Sequence, residues 1–272
     1  YQKAKNFLFS LKENCVKPDL IEIILCIDSD DDSYDKFDHV FEHTKIINET
    51  RRNLGQSIFE GIKNSTGEII FICNDDVSVE TSGWDEEFRI VHNTFTDGIY
   101  LFSPNDLNKK GSLFVFPGFS KKVFKILHDY PKRYSGAFMD NHLDEVFESL
   151  KYNGFDRKIF LREVVFNHQH YTVTGQPPDE TYTDRDRFGD DANFFNSVKT
   201  RHLETMSIKS FIETGRSFEK QPTVKLSITN SVLFYLFSSH LPVPNRLKLL
   251  YYMFARYTYK SLFRLMVKAR QK

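Results

Sequence analysis

Residues 68–80 read EIIFICNDDVSVE, and this stretch constrains the fold more than any other in the chain. Five apolar residues, Ile69 to Cys73, run directly into Asn74, Asp75 and Asp76. A short apolar run with polar residues at its end predicts a strand buried on both faces, as in a parallel sheet covered by helices. Adjacent carboxylates at the strand tip repel each other, and burial sharpens the repulsion. The pattern calls for positive charge beside them.

The flanking sequence repeats the alternation of strand and helix. QKAKNFLFSLKEN (2–14) sets Ala4, Phe7, Leu8 and Leu11 on one helical face before Pro18 stops it. IEIILCID, from Ile21 to Asp28, is a second apolar run ending in an acid, and a short strand follows around Lys45 to Ile47. RRNLGQSIFEGIKNSTGE predicts a loop entering a helix, with Ile58 and Ile62 inward and Gly67 ending it. IYLFSPND and SLFVFPGFS are strand-like, the second broken at Pro117 and Gly118, and Ser120 is placed to cap the helix SKKVFKIL. DNHLDEVFESLKYNG is amphipathic, with Leu143, Val146, Phe147 and Leu150 on the core face and Gly154 at its end. KIFLREVVFNHQHY predicts a strand pair, and the polar, turn-rich 172–191 predicts a lid.

The expected fold class is therefore α/β: a mixed, mainly parallel sheet flanked by helices over residues 1–191, divided near residue 100, with a helical extension over 192–272. In open sheets of this kind ligands bind outside the carboxyl ends of the strands. Asp28/Asp30 and Asp75/Asp76 both fall at such ends, which predicts one shared crevice. The three cysteines, Cys15, Cys26 and Cys73, are odd in number and lack metal-type spacing, so free thiols in a reducing compartment are expected.

Taken together, residues 20–170 resemble a GT-A glycosyltransferase of the family-2 type. LIEIILCIDSDDDS resembles the second strand of that Rossmann-like fold; NLGQSIFEGIKNSTGEIIFICNDD, with Gly55, Gly61 and Gly67, resembles its glycine-spaced helix and DXD strand. FPGFSKKVFKIL resembles the start of the acceptor half, DNHLDEVF the catalytic-acid helix, and FNHQHY with GQPPDETY the returning strand and flexible loop.

The resemblance implies transfer of a sugar, with inversion, from a nucleotide-diphosphate donor to a glycan or lipid-linked acceptor, in the making of a surface polysaccharide or glycolipid. It implies that Asp28 and Asp30 meet the nucleoside, with Arg51, Arg52, Asn53, Gly55, Asn74 and Asp75 toward the nucleotide sugar. A divalent cation (Mn²⁺ or Mg²⁺) takes oxygen ligands and neutralises diphosphate. Asp76 is the first choice to ligate it, with Asp75 on metal or ribose. His168 and His170 alternate on one strand and share a side; one of them, His168 by preference, completes the shell, and the pair alone is no zinc site. Displacement at the anomeric carbon needs a base for the acceptor hydroxyl. Asp144 and Asp140, one helical turn apart, are the candidates, Asp144 preferred and Glu145 an outside choice. Asn74 departs from the family's first Asp, and Gln176 stands where a basic residue is usual, which moves phosphate neutralisation toward the metal or Arg185 and Arg187. The missing first strand predicts that a short strand precedes Tyr1.

Net charge is zero, yet residues 220–272 hold ten of the 37 basic residues and none of the 37 acidic ones. Aromatic and basic residues at helical spacing in this tail predict attachment to an anionic membrane surface at the cytoplasmic face. Helices packed on the domain with solvated charges are the alternative. The tail lacks any recognised nucleic-acid-binding context, so nucleic acid is not expected as a partner. Two other functions fit parts of the pattern: a sugar-phosphate nucleotidyltransferase, and a non-catalytic sugar- or membrane-binding module.

Overall fold

The computed structural model describes residues 2–28, 40–49, 53–127, 129–170, 175, 186–217 and 223–270. Helix α1 (Gln2–Glu13) precedes two parallel strands, β1 (Glu22–Asp28) and β2 (His43–Glu49), which form a separate two-stranded sheet. Helix α2 (Leu54–Asn64) leads to β3 (Ile69–Phe71), β4 (Val77–Val79), α3 (Trp84–Thr94), β5 (Leu101–Asn105), β6 (Gly118–Ser120), α4 (Lys121–Ile126), α5 (Met139–Tyr152) and β7 (Lys158–His168). Helices α6 (Arg187–Asn196), α7 (Val198–Thr214), α8 (Ile228–Phe237) and α9 (Val243–Arg270) complete the described chain.

Five strands form one sheet in the order β3-β6-β5-β7-β4. The β5–β7 pair is parallel; β3–β6, β6–β5 and β7–β4 are antiparallel. The sheet is thus mixed rather than mainly parallel. The physical reason is the route into β6: an irregular segment, not a helix, connects it to β5 and inserts it between β5 and β3. The parallel elements survive underneath, because β3, β5 and β7 all point the same way.

Side-chain alternation builds a core on each face of this sheet. Leu101 and Phe119 join Leu143, Val146, Phe147 and Leu150 of α5 and the C-terminal helices. Phe102 and Phe166 join Trp84 and Phe88 of α3 and Leu8 and Leu11 of α1 on the other side. Gly118 is required by this packing, since a Cβ there would stand 2.1 Å from the Phe102 ring.

Several local expectations change. The strand through Cys73 stops at Phe71, and residues 72–76 instead link β3 to β4 on the far edge of the sheet. Helix α2 ends at Asn64 with extended Ser65 as its cap, so Gly67 lies beyond it. Residues 158–168 form one strand carrying a register shift near Asn105, not a strand pair. SLFVFPGFS is a strand only from Gly118, after the proline rather than before it. Ser120 does cap α4, accepting from the Val123 amide at 3.2 Å. None of the three cysteines forms a disulfide; Cys15 and Cys73 are half-buried and Cys26 is exposed.

The C-terminal helices share the main core and are tied to α5 by buried charge. Arg201 of α7 meets Glu145 of α5 at 3.0 Å, donates to Tyr235 Oη at 2.8 Å and to the Phe194 carbonyl at 2.6 Å, and stacks over the Phe194 ring. Beside it, Glu204 receives His142 at 2.7 Å and Arg133 at 3.2 Å. Truncating one member of a buried pair strands the other charge. Arg201→Leu is therefore expected to cost about 3–5 kcal/mol in urea unfolding, and Arg201→Leu with Glu145→Leu to recover much of that loss.

Candidate active site

Because β3, β5 and β7 run in one direction, their carboxyl ends lie on one side of the sheet, and the 72–76 link crosses that side. Asp76 closes the link immediately before β4, whose first residue, Val77, pairs with His168 at the end of β7. The Gln169 amide donates to the Asp76 carbonyl at 2.9 Å, fixing the backbone there. This register brings Asp76 Oδ2 to 3.4 Å from His168 Nε2. The His168 ring packs on Phe116 and edge-on to His170. The loop after β5 also reaches this point, since Asn108 Nδ2 donates to the His168 carbonyl at 2.9 Å. Asp106 shapes that loop by accepting from the Lys109 and Lys110 amides.

The Asp76–His168 pair is incomplete. Asp76 Oδ1 is buried without a hydrogen-bond partner among the described residues, and His168 Nε2 makes no hydrogen bond of acceptable geometry. Unpaired buried polar atoms are costly unless a ligand takes them. Burial works against the Asp76 charge, but the neighbouring His168 outweighs it and holds the carboxyl below its usual range. Asp75 next to it goes the other way: crowding by protein atoms and the Asp76 charge hold it above the usual range, although its side chain stays exposed. Among the described residues no cluster of three His, Cys, Asp or Glu stands ready to cage a metal.

The two base candidates have different surroundings. Lys158, the first residue of β7, places Nζ 2.6 Å from Asp144 and 2.7 Å from Glu148. These acids sit one turn apart on α5, so the helix runs back along β7. Asp140, one turn earlier at about 6 Å further on, lies toward the end of β7 that carries His168. Asp144 is consumed by a lysine; Asp140 accepts only from the Asn141 amide at 2.9 Å among the bonds described. Burial, helped by the Asp144 charge, raises the Asp140 carboxyl from an ordinary 3.8 to about 6. Glu145, turned inward to Arg201, is sealed in the core.

Asn53 and Gly55 each have a local structural role at the start of α2. Asn53 caps α2 in a reciprocal pair with Gln56, accepting at 3.0 Å and being accepted at 3.3 Å. A Cβ on Gly55 would lie 2.2 Å from the Tyr134 carbonyl, and the adjacent Leu54 amide donates to Ser135. Thus α2 docks on the loop that introduces α5. The same loop is held by Asp190, which accepts from the Ser135, Gly136 and Ala137 amides at 2.7–3.0 Å. Sequence reading missed Asp190, Lys158 and Asp106; a charged residue inside otherwise apolar or turn-forming context was the available signal. The side chains of Asp28 and Arg187, and residues Asp30, Arg51, Arg52, Gln176 and Arg185, lie outside what the structure describes, as does most of the expected lid.

The family model for glycosyl transferase family 2 matches residues 1–104. It ends at β5, so it contains Asp75 and Asp76 but not α5 or His168. No curated protein sequence matches the chain. Among solved structures, S. aureus TarS is 11% identical over 88% of this chain, with a TM-score of 0.49, and the chain spans 42% of TarS. Mannosyltransferase PcManGT from Pyrobaculum calidifontis, in complex with GDP-Man and Mn²⁺, is 14% identical over 98% of this chain and 76% of its own, with a TM-score of 0.48.

Proposed function

We propose that the chain is a metal-dependent glycosyltransferase of GT-A type, moving a sugar from a nucleotide-diphosphate donor to a glycan or lipid-linked acceptor with inversion. The observation that carries this reading is Asp76, inside the segment that the family-2 model matches, with one oxygen toward His168 and the other buried without a partner among the described residues. Those two residues fit a hard divalent cation whose remaining ligands are phosphate oxygens and water, the usual partial shell for Mg²⁺ or Mn²⁺. When bound, such an ion neutralises the charge that develops on the departing diphosphate.

The chain's own groups do the rest. Asp75, exposed beside Asp76, faces the ribose or the donor sugar, and Asn74 precedes it in the link. Asp140 takes the proton of the acceptor hydroxyl as that oxygen attacks, in preference to Asp144, because Asp144 is neutralised by Lys158. A base near pH 6 is ionised at neutral pH yet basic enough to accept a proton. Asp28, Asp30 and Arg52 are assigned to the nucleoside by resemblance.

A thermal-shift panel of UDP- and GDP-sugars, with Mn²⁺ and with EDTA, tests the reading. Stabilisation by one nucleotide sugar that needs the metal is expected, followed by release of the nucleoside diphosphate (UDP or GDP) on adding acceptor. Stabilisation by nucleoside triphosphate and sugar phosphate instead would favour the nucleotidyltransferase.

A further inference from the structure

The last two helices present an apolar face that the rest of the molecule does not cover. Among the described residues, ten of the sixteen exposed large hydrophobic ones lie between positions 228 and 259. They gather at the turn joining α8 to α9, where Leu236, Phe237, Val243 and Leu247 project, and continue along α9 as Tyr251 and Phe254. Phe237 is 79% exposed and Tyr251 70%. The opposite face of α9 is anchored, with Leu250 and Met253 buried and Arg256 Nε bonded to Asp191 at 2.8 Å. So the helix is fixed in place with its aromatic side outward. Exposed apolar patches of this extent mark interaction surfaces.

We propose that the α8–α9 hairpin is a docking surface for an anionic lipid membrane, with the turn inserted at headgroup level and α9 lying along the interface. Charge selects this occupant. No acidic residue occurs from Lys220 to Lys272, while ten cations do. A second copy would bring the same cations against themselves, whereas anionic headgroups complement them. Tyrosines beside phenylalanine and leucine suit an interface that is apolar on one side and wet on the other. No described helix is long and apolar enough to cross a membrane, so α9 would lie in the interface rather than span it.

The surface also has a physical link to the site. Asp191, which holds α9 through Arg256, is adjacent to Asp190, which holds the loop before α5. Docking of α9 therefore orients the end of α5 that carries Asp140. The proposal does not depend on sugar transfer, and vesicle binding reads it without any donor.

Flotation of the full chain with phosphatidylcholine vesicles, and with vesicles containing about one-third phosphatidylglycerol, at about 0.1 M and about 0.5 M salt, tests it. Binding to the anionic vesicles is expected to be at least about tenfold above neutral ones and to fall with salt, since each interfacial cation contributes on the order of fivefold. Phe237→Asp with Leu247→Asp, both exposed, should reduce binding at least about tenfold while circular dichroism stays unchanged. Equal affinity for neutral vesicles, no vesicle binding, or binding unaffected by the double substitution would overturn the proposal. So would sedimentation showing a dimer that this substitution dissociates, or salt-sensitive binding to RNA with none to vesicles.

Discussion

Replacing Asp76 by alanine is expected to lower sugar transfer by about 10³-fold, a loss of roughly 4 kcal/mol of transition-state stabilisation. The argument is local. Among the described residues, its carboxylate is the one group at the strand ends that combines a lowered pKa, a histidine 3.4 Å away and an oxygen with no partner. Removing it deletes the charge that would hold a cation against the donor diphosphate. The fold should notice little, because Asp76 lies in a link between strands and its side chain touches His168 rather than the core. A melting temperature within a few degrees of wild type, with transfer abolished, fits this role. Normal transfer by the variant would refute it.

Asp140→Asn should cut kcat by roughly 10²–10⁴-fold, the range for losing a general base. It should also stabilise the protein. With the Asp140 carboxyl raised to about 6 in the fold, the folded state favours its protonated form. That contribution is present below the unfolded value of 3.8 and is lost as pH rises through about 6. Above pH 6 the half-buried charge therefore costs up to about 3 kcal/mol, which the amide removes. Activity of the wild type should rise about tenfold per pH unit up to about 6 and then level off. A purely structural residue would give neither the pH profile nor a loss of activity coupled to a gain in stability. Asp144→Asn, by contrast, leaves Lys158 paired with Glu148 and should change turnover little. If Asp144→Asn abolishes transfer and Asp140→Asn does not, the base is Asp144 after all.

Much of this was legible in the sequence, and the failures have physical causes. Helices α1, α2, α4 and α5 follow from apolar spacing, and the four core positions of α5 are all fully buried. The pairing of Asp76 with a histidine on the returning strand was also readable, because alternation puts His168 and His170 on one side. Strand pairing was not readable. Ile69 to Cys73 has the composition of a longer strand, but pairing partners decide where a strand ends, and Phe71 is the last residue opposite β6. Helix α3 escaped notice because its start is an unmarked turn at Gly83, with acidic Asp85, Glu86 and Glu87 masking the Trp84, Phe88, Val91 stripe. Spacing leaves both Asp140 and Asp144 open as the base, and it could not show that Lys158, from another element, engages Asp144. Gly55 and Asn53, expected toward the nucleotide, also serve close packing and helix capping, which their residue types alone did not reveal.

The most direct measurement is an Mn²⁺ titration followed by electron paramagnetic resonance, in the presence of UDP or GDP, on wild type, Asp76→Ala and His168→Ala. Wild type should bind about one Mn²⁺ per chain with either nucleotide, and each variant should bind it at least about tenfold more weakly. Binding that is absent in wild type with both nucleotides, or undiminished in both variants, would contradict a cation site at Asp76 and His168.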